Sequence, residues 1–389
     1  MPFYRCAPPS SGGGGGGGDL TDSANIIYYD ENDNPHTAYL TQAYLPSPSL
    51  NLPWDSDFSN LIKDNGANIY NVYIGNKILS ATSALGTYLQ NIKGTITIGE
   101  GCCALAGAFN NSLDFNSPVK ILWNGNTCYY SNFNNLNLAF AFQGARNFNS
   151  PVYIENGNDY PAYIRINMIS MYNGCINFNQ PVTIPSRADK LLYIFNRCSI
   201  LNSRITIKRN KYSITPYDII GGFTNCWEFN QPMVFPKGLN NNLQSTLAMC
   251  NNFNQPVAVC FSDYTNSGES VNKIVLTGMF SYSNNMYSDI ILFGNNLSSL
   301  NFTTVTGFIR KNAHTKRINI YLNSIDSSSK LLTTSTASIL GVAVTWAQTT
   351  NGYYNESYNV YILNNVQDAL NNFNNYYYNF YGEYPDFAE

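Results

Sequence analysis

Five segments of the chain repeat one pattern, phenylalanine-asparagine-x-proline followed by an apolar residue. They are Phe115-Asn116-Ser117-Pro118-Val119, Phe148-Asn149-Ser150-Pro151-Val152, Phe178-Asn179-Gln180-Pro181-Val182, Phe229-Asn230-Gln231-Pro232-Met233 and Phe253-Asn254-Gln255-Pro256-Val257. Two degenerate copies fill the gaps, Leu201-Asn202-Ser203-Arg204-Ile205 and Met286-Tyr287-Ser288-Asp289-Ile290. Six residues before each anchor stands a large apolar residue: Phe109, Phe142, Tyr172, Phe195, Phe223, Leu247 and Phe280. Three before it stands a small one: Ser112, Ala145, Cys175, Cys198, Cys226, Cys250 and Ser283. Downstream, each copy enters a short alternating apolar run such as Val119-Lys120-Ile121. The run Ile96-Thr97-Ile98 has the same look and reads as a first unit.

From Val119 the steps between equivalent positions are 33, 30, 23, 28, 24 and 33 residues, a base unit of 23–24 with insertions. That period is in the leucine-rich-repeat range. Each unit predicts one short strand, and stacking the units pairs the strands into a parallel sheet. The anchors Phe115, Phe148, Phe178, Leu201, Phe229, Phe253 and Met286 read as core on the opposite wall. Proline, which lacks an N–H, stops ladder pairing just before the strand. The asparagine side chain is placed to satisfy backbone groups at the turn and to stack on its copies.

The motif resembles the BspA-like leucine-rich repeats of bacterial surface proteins and some phage-encoded proteins, over residues 96–295. The full Phe-Asn-Gln-Pro-Val form at Phe178 and Phe253 carries the likeness. The tryptophan-containing segment that often follows in that family is missing. The resemblance implies surface display, adhesion and protein–protein contact, and it transfers no catalytic residue. Together these readings predict a mainly β chain: a solenoid of parallel strands over 96–310 with small α+β caps at both ends.

Composition bears on function. Charged residues are 12% of the 389, about half the usual share, and 30 tyrosines help fill the gap. A surface of amides and hydroxyls suits a protein that works at high density beside its own copies. Net charge is −3, and the only basic cluster is Arg204, Lys208, Arg209 and Lys211, read as a solvated loop. Nucleic-acid binding needs a more concentrated basic face. No run of about 18 apolar residues predicts membrane insertion, and the start has no pattern of a secretory signal.

Nine cysteines lack any CxxC spacing for zinc. Four of them, Cys175, Cys198, Cys226 and Cys250, fall in the small-residue slot, where free cysteine behaves as a small buried hydrophobe. His36 and His314 stand in no metal or triad context. Glu155, Asp159, Asp189 and Asp218 lie in insertions with nothing to make them converge. Asp30, Asp33 and Asn34 read as a turn, because an EF-hand's glycine and distal glutamate are missing. No catalytic, cofactor-binding or metal-binding residue is assigned.

The ends differ from the middle. Residues 1–24 form a Gly/Pro/Ser-rich head with seven consecutive glycines, read as a linker or a tether, and resembling the start of some phage virion proteins. Residues 25–95 read as a mixed cap with a helix near 57–64. Residues 311–389 read as a capping region: a short helix at 327–340, a hairpin about Asn351-Gly352, and an amphipathic helix over 364–381. Val366, Leu370, Phe373, Tyr377 and Phe380 lie on its apolar face. Tyr376, Tyr377 and Tyr378 are a candidate interface, since tyrosine is enriched in such surfaces.

The functional expectation is a non-enzymatic structural or adhesive protein of a bacteriophage particle, such as a fibre, collar or tail appendage. Its expected partners are other virion proteins, copies of itself (a trimer, if built as phage fibres commonly are) and a host receptor or glycan. The alternatives are a bacterial cell-surface adhesin and a polysaccharide depolymerase.

Overall fold

The computed structural model describes residues 26–38, 69–75, 80–83, 85–86, 89, 92–123, 135–154, 165–208, 219–239, 242–261, 274–294, 302–309, 316–322, 340 and 345–387. The glycine-rich head, the helices expected near 57–64 and 327–340, and Glu155, Asp159, Asp218 and His314 lie outside them.

The protein is mainly β, with parallel sheets and one helix among the described residues. A hairpin of β1 (Ile26–Tyr29) and β2 (Pro35–Ala38) pairs with β3 (Asn71–Ile74). The Asp30 carboxylate organises the hairpin turn by accepting the N–H groups of Asn32 and Asn34 at 2.9 Å. From β3 onward the strands run parallel: β4 (Ile96–Ile98), β5 (Val119–Ile121) and, beyond β6 (Asn135–Asn137), β7 (Val152–Ile154). After β8 (Arg165–Asn167), β9 (Val182–Ile184) pairs with β11 (Ile205–Ile207) across the intervening β10 (Ala188–Lys190).

A third parallel group holds β12 (Met233–Leu239), β13 (Val257–Phe261), β15 (Ile290–Phe293) and β17 (Ile318–Leu322), with β14 (Ile274–Val275) and β16 (Phe302–Thr304) between them in sequence. It continues into β20 (Val360–Leu363), which pairs back through β19 (Gly352–Asn355) to β18 (Ala347–Thr349). A second parallel row, β6–β8–β10 and β14–β16, lies just before the turns.

Three features of the row and its ends bear on the expected layout. The parallel row begins at β3, within the region expected to be a cap, because Val72 and Ile74 pair with Ile96 and Ile98 without any Phe-Asn-Pro motif to announce them. It continues through β17, where the alternation of Ile318, Ile320 and Leu322 already reads as strand in the sequence, and on to β20. Beyond the expected hairpin about Asn351-Gly352, the chain does not continue as a single arm: a turn over 356–359, with Asn359 at φ 51°, reverses it into the second strand β20.

Inside, the aromatic rings form a column. The residues six before the anchors stack in sequence, Phe109 on Phe142 at 5.1 Å, Phe142 on Tyr172 at 5.6 Å and Tyr172 on Phe195 at 5.4 Å. The anchors stack beside them, Phe115 on Phe148 at 5.5 Å and Phe148 on Phe178 at 5.8 Å. Nearly parallel, offset rings suit the quadrupole of the aromatic face. Leu201 and Met286 stand in the same buried column without a ring.

Each motif residue has a hydrogen-bonding task that repeats from unit to unit. Asn116 Oδ1 accepts the backbone N–H of Asn149 at 2.7 Å, and the pattern continues Asn149–Asn179, Asn179–Asn202, Asn202–Asn230 and Asn230–Asn254 at 2.7–2.9 Å. It ends on the N–H of Tyr287, whose own side chain has no amide carbonyl to pass it on. Serine and glutamine at the variable position after asparagine can serve the same bond: Ser150 Oγ and Gln180 Nε2 both donate to the asparagine of the preceding unit. The proline carbonyl opens the strand ladder, as when Val119 N–H donates to Pro151 at 3.1 Å.

Among the described pairings, the ladder of these strands is interrupted between β7 and β9 and between β11 and β12. The asparagine bonds Asn149–Asn179 and Asn202–Asn230 cross both interruptions.

The turn wall has its own periodicity. Eight and four residues before each anchor the backbone is left-handed, with φ between 50° and 79°. Glycine or asparagine fills some of these positions (Gly107, Gly144, Gly174, Asn225), but Phe140, Tyr193, Arg197, Met249 and Tyr282 fill others. L-residues with a bulky side chain pay about 1–2 kcal/mol for this conformation.

The outward side of the strands changes character along the row. Its central residues are Thr97, Lys120, Tyr153, Thr183 and Thr206 in the first half, then Val234, Ala258 and Ile291. The last three are buried under α1 (Val366–Tyr381) in a second apolar cluster with Ala369, Phe373 and Tyr377. The helix therefore lies across the sheet's face, while the β18–β19–β20 meander ends its edge. Phe380, expected on the buried face, is exposed. Tyr381 packs there instead, since from Tyr377 the buried stripe advances by four residues and not three.

Candidate interaction surfaces

Three surfaces could carry a function: the cysteine column, the helix with its tyrosines, and the turn wall. The cysteine column is internal. Cys175, Cys198, Cys226 and Cys250 are free, fully buried thiols. Each S–H donates to the carbonyl of the large residue in the preceding unit: Cys175 to Phe142 at 2.9 Å, Cys198 to Tyr172 and Cys226 to Phe195 at 3.0 Å, and Cys250 to Phe223 at 3.1 Å. Ser283 does the same to Leu247 at 2.7 Å. The slot thus takes small residues, and in five of the seven units, Ala145 and Ser112 apart, the residue there also donates to the preceding unit, a property that size alone did not reveal. Burial pushes the Cys250 thiol up to about 12 and the other three upward as well. Thiols so held remain protonated and poorly nucleophilic.

The tyrosine cluster divides. Tyr377 is buried against the sheet, and burial raises its phenol's pKa. That removes it from any external interface. Tyr376 is exposed but tethered, its hydroxyl donating to Gln255 Oε1 at 2.6 Å, and Tyr378 stacks on Tyr384 at 4.7 Å. The Tyr381 hydroxyl donates likewise to Gln231 at 3.0 Å.

Arg204, expected in a solvated loop, is committed to the same docking: it lies 4.2 Å from the Tyr381 ring centre and pairs with Glu383. It occupies the proline position of its unit, as does Asp289, whose carboxylate accepts the Asn319 amide at 2.8 Å. A groove beside this contact is lined by Thr206, Lys208, Tyr377, Tyr384 and Asp386.

The turn wall is the surface that sequence reading did not single out. Each of the units anchored from Phe115 to Met286 leaves a large apolar side chain in the open there. Phe140 and Tyr193 stand eight residues before their anchors, and Met249 and Tyr282 four before. Leu113, Ile176 and Trp227 stand two before, and Ile200 one before. All are 39–53% exposed. The Tyr193 ring lies along the backbone of Gly221, where an added Cβ would come within 2.5 Å of it. Large residues at left-handed positions that elsewhere carry glycine were the available signal.

Of the acids weighed as catalytic candidates, Asp189 is described, and it faces Arg165 at 3.7 Å. His36 stacks on Tyr28 and hydrogen-bonds Asp30. Among the described residues no group of three histidines, cysteines or acids is arranged to hold a metal ion, and no helix is long and apolar enough to cross a membrane. Comparison with protein-family models, curated proteins and solved structures returned no match.

Proposed function

We propose that the stacked units form a leucine-rich-repeat-type solenoid acting as a non-enzymatic structural or adhesive protein of a bacteriophage particle. In this reading it is a fibre, collar or tail appendage, and its repeat surface serves host recognition or virion assembly. The observation that carries it is the division of labour within each unit. Asparagine, cysteine and aromatic positions are spent on stacking, while the turn wall of the same unit presents an apolar side chain to the outside. Such an arrangement is suited to extended contact along its length. The sparse charge and abundant amides support work at high local density.

The test is immunolabelling with antibody to the chain. Labelling of purified phage particles is expected. Labelling of uninfected bacterial envelopes alone would replace the virion with a cell-surface adhesin, the reading that the Phe-Asn-Gln-Pro resemblance also favours. Release of shorter chains from host surface glycans by the purified protein would overturn its non-enzymatic character.

A further inference from the structure

We infer that the turn wall is a self-association surface, on which two copies of this chain pack antiparallel about a two-fold axis. The inference rests on the reading of the chain as a structural protein working beside its own copies, but it is tested on the isolated protein.

Four observations choose a second copy as the occupant. The first is area. The exposed side chains of the wall are roughly half open, and at about 200 Å² for a large side chain they offer on the order of 700 Å² per copy. A standard stable interface buries about 800 Å² per partner. The second is period. The wall offers a large side chain in every unit, and units stack at the ~4.8 Å spacing of paired strands, so a partner must present apolar groups at that same spacing. A second copy does so by construction.

The third is chemistry. Leu113, Ile176, Ile200 and Met249 are aliphatic and offer no flat ring to a sugar, whereas mixed aliphatic and aromatic side chains suit a protein surface. The fourth is charge. From nine to one residues before the anchors, the wall carries two acids, Asp114 and Glu228, and two bases, Arg146 and Arg197. Parallel packing sets each against its own like. In antiparallel packing, full overlap sets Arg197 against itself. The two registers displaced by one unit set Glu228 against Arg146 or Arg197 of the copy. A two-fold contact of this kind closes, so it makes dimers and not open filaments.

The strain at the wall points the same way. Phe140, Tyr193, Met249 and Tyr282 hold left-handed φ values of 55–60° while remaining about half exposed, so burial within the monomer offsets the cost only in part.

The experiment is sedimentation equilibrium of the full chain across the micromolar range. The wild type is expected to dimerise. The variant Phe140→Gly/Tyr193→Gly/Met249→Gly/Tyr282→Gly, in which each residue becomes one that other units already carry at left-handed positions, is expected to be monomeric with an unchanged circular dichroism spectrum. Glu228→Arg is expected to weaken the dimer about tenfold, and Arg146→Glu or Arg197→Glu to restore it, whichever faces Glu228. A monomeric wild type, a trimeric mass, or a glycine variant that is still dimeric would overturn the proposal. None of these outcomes bears on whether phage particles carry the protein.

Discussion

The guanidinium of Arg204 lies 4.2 Å from the centre of the Tyr381 ring and pairs with Glu383, and it does so from the position that proline fills in five sister units. The departure from the motif adds a charged contact to the apolar docking of the C-terminal helix. A proline there has no side chain able to reach the helix.

Arg204→Ala is therefore expected to lose about 1–2 kcal/mol and to raise amide exchange over 366–381 more than in β13 or β15. Arg204→Pro restores the repeat motif and should give the same loss. If neither substitution changes helix protection, the contact is incidental to docking.

The asparagine row makes a positional prediction. Asn149→Ala and Asn202→Ala each leave an N–H of the next unit without its protein acceptor where the strand ladder is interrupted, at a cost of about 0.5–1.5 kcal/mol. Asn230→Ala should cost less, because β12 and β13 are paired along their length beside it. Urea denaturation of the three variants ranks them. Equal losses would mean that the asparagines do not bridge the interruptions.

The cysteine slot is predicted to accept serine, as Ser283 shows, and to lose about 1 kcal/mol with alanine. Valine should cost about 1–3 kcal/mol through overpacking. The native thiols should resist a disulfide reagent until the protein unfolds.

Their titration has a definite sign. An unfolded chain releases thiol protons from about pH 8.5, while the folded chain holds that of Cys250 to about 12. Stability is thus fully present below pH 8.5 and falls as pH rises through that window. Replacing the four cysteines with serine should make the fall between pH 8.5 and 10 shallower. An unchanged slope would place the alkaline sensitivity in the tyrosines alone.

The left-handed positions can be tested in both directions. Gly174→Ala, at φ 79°, is expected to destabilise by about 1–2 kcal/mol. Arg197→Gly, at φ 62° in the equivalent position of the next unit, should be neutral or raise Tm slightly. A lower Tm for Arg197→Gly would show that its side chain contributes more than the backbone strain costs.

Much of the architecture was legible because the repeat is local. Phe115, Cys198 or Asn179 has a role set by its equivalents one unit away, so recurrence alone marked the column, the slot and the turn. The β3 strand escaped notice because Val72 joins the row without the motif. Signals of the helix contact were present but unread. Alternation in Ile96-Thr97-Ile98 and Val182-Thr183-Ile184 gives way to continuous apolar runs at Val257-Ala258-Val259 and Ile290-Ile291-Leu292, as befits strands covered on both faces.

What the sequence determined by itself is the register of the units and the kind of side chain each slot requires, because stacking at one short spacing imposes the same chemistry on every copy. What only the tertiary structure decided is where the ends of the chain come to rest. Tyr376 reaches Gln255 across 121 residues, Tyr381 reaches Gln231 across 150 and Arg204 reaches Glu383 across 179. Contacts so distant leave no period in the sequence. They are selected by which outward faces the stacked strands leave apolar, and that is known only when the stack exists.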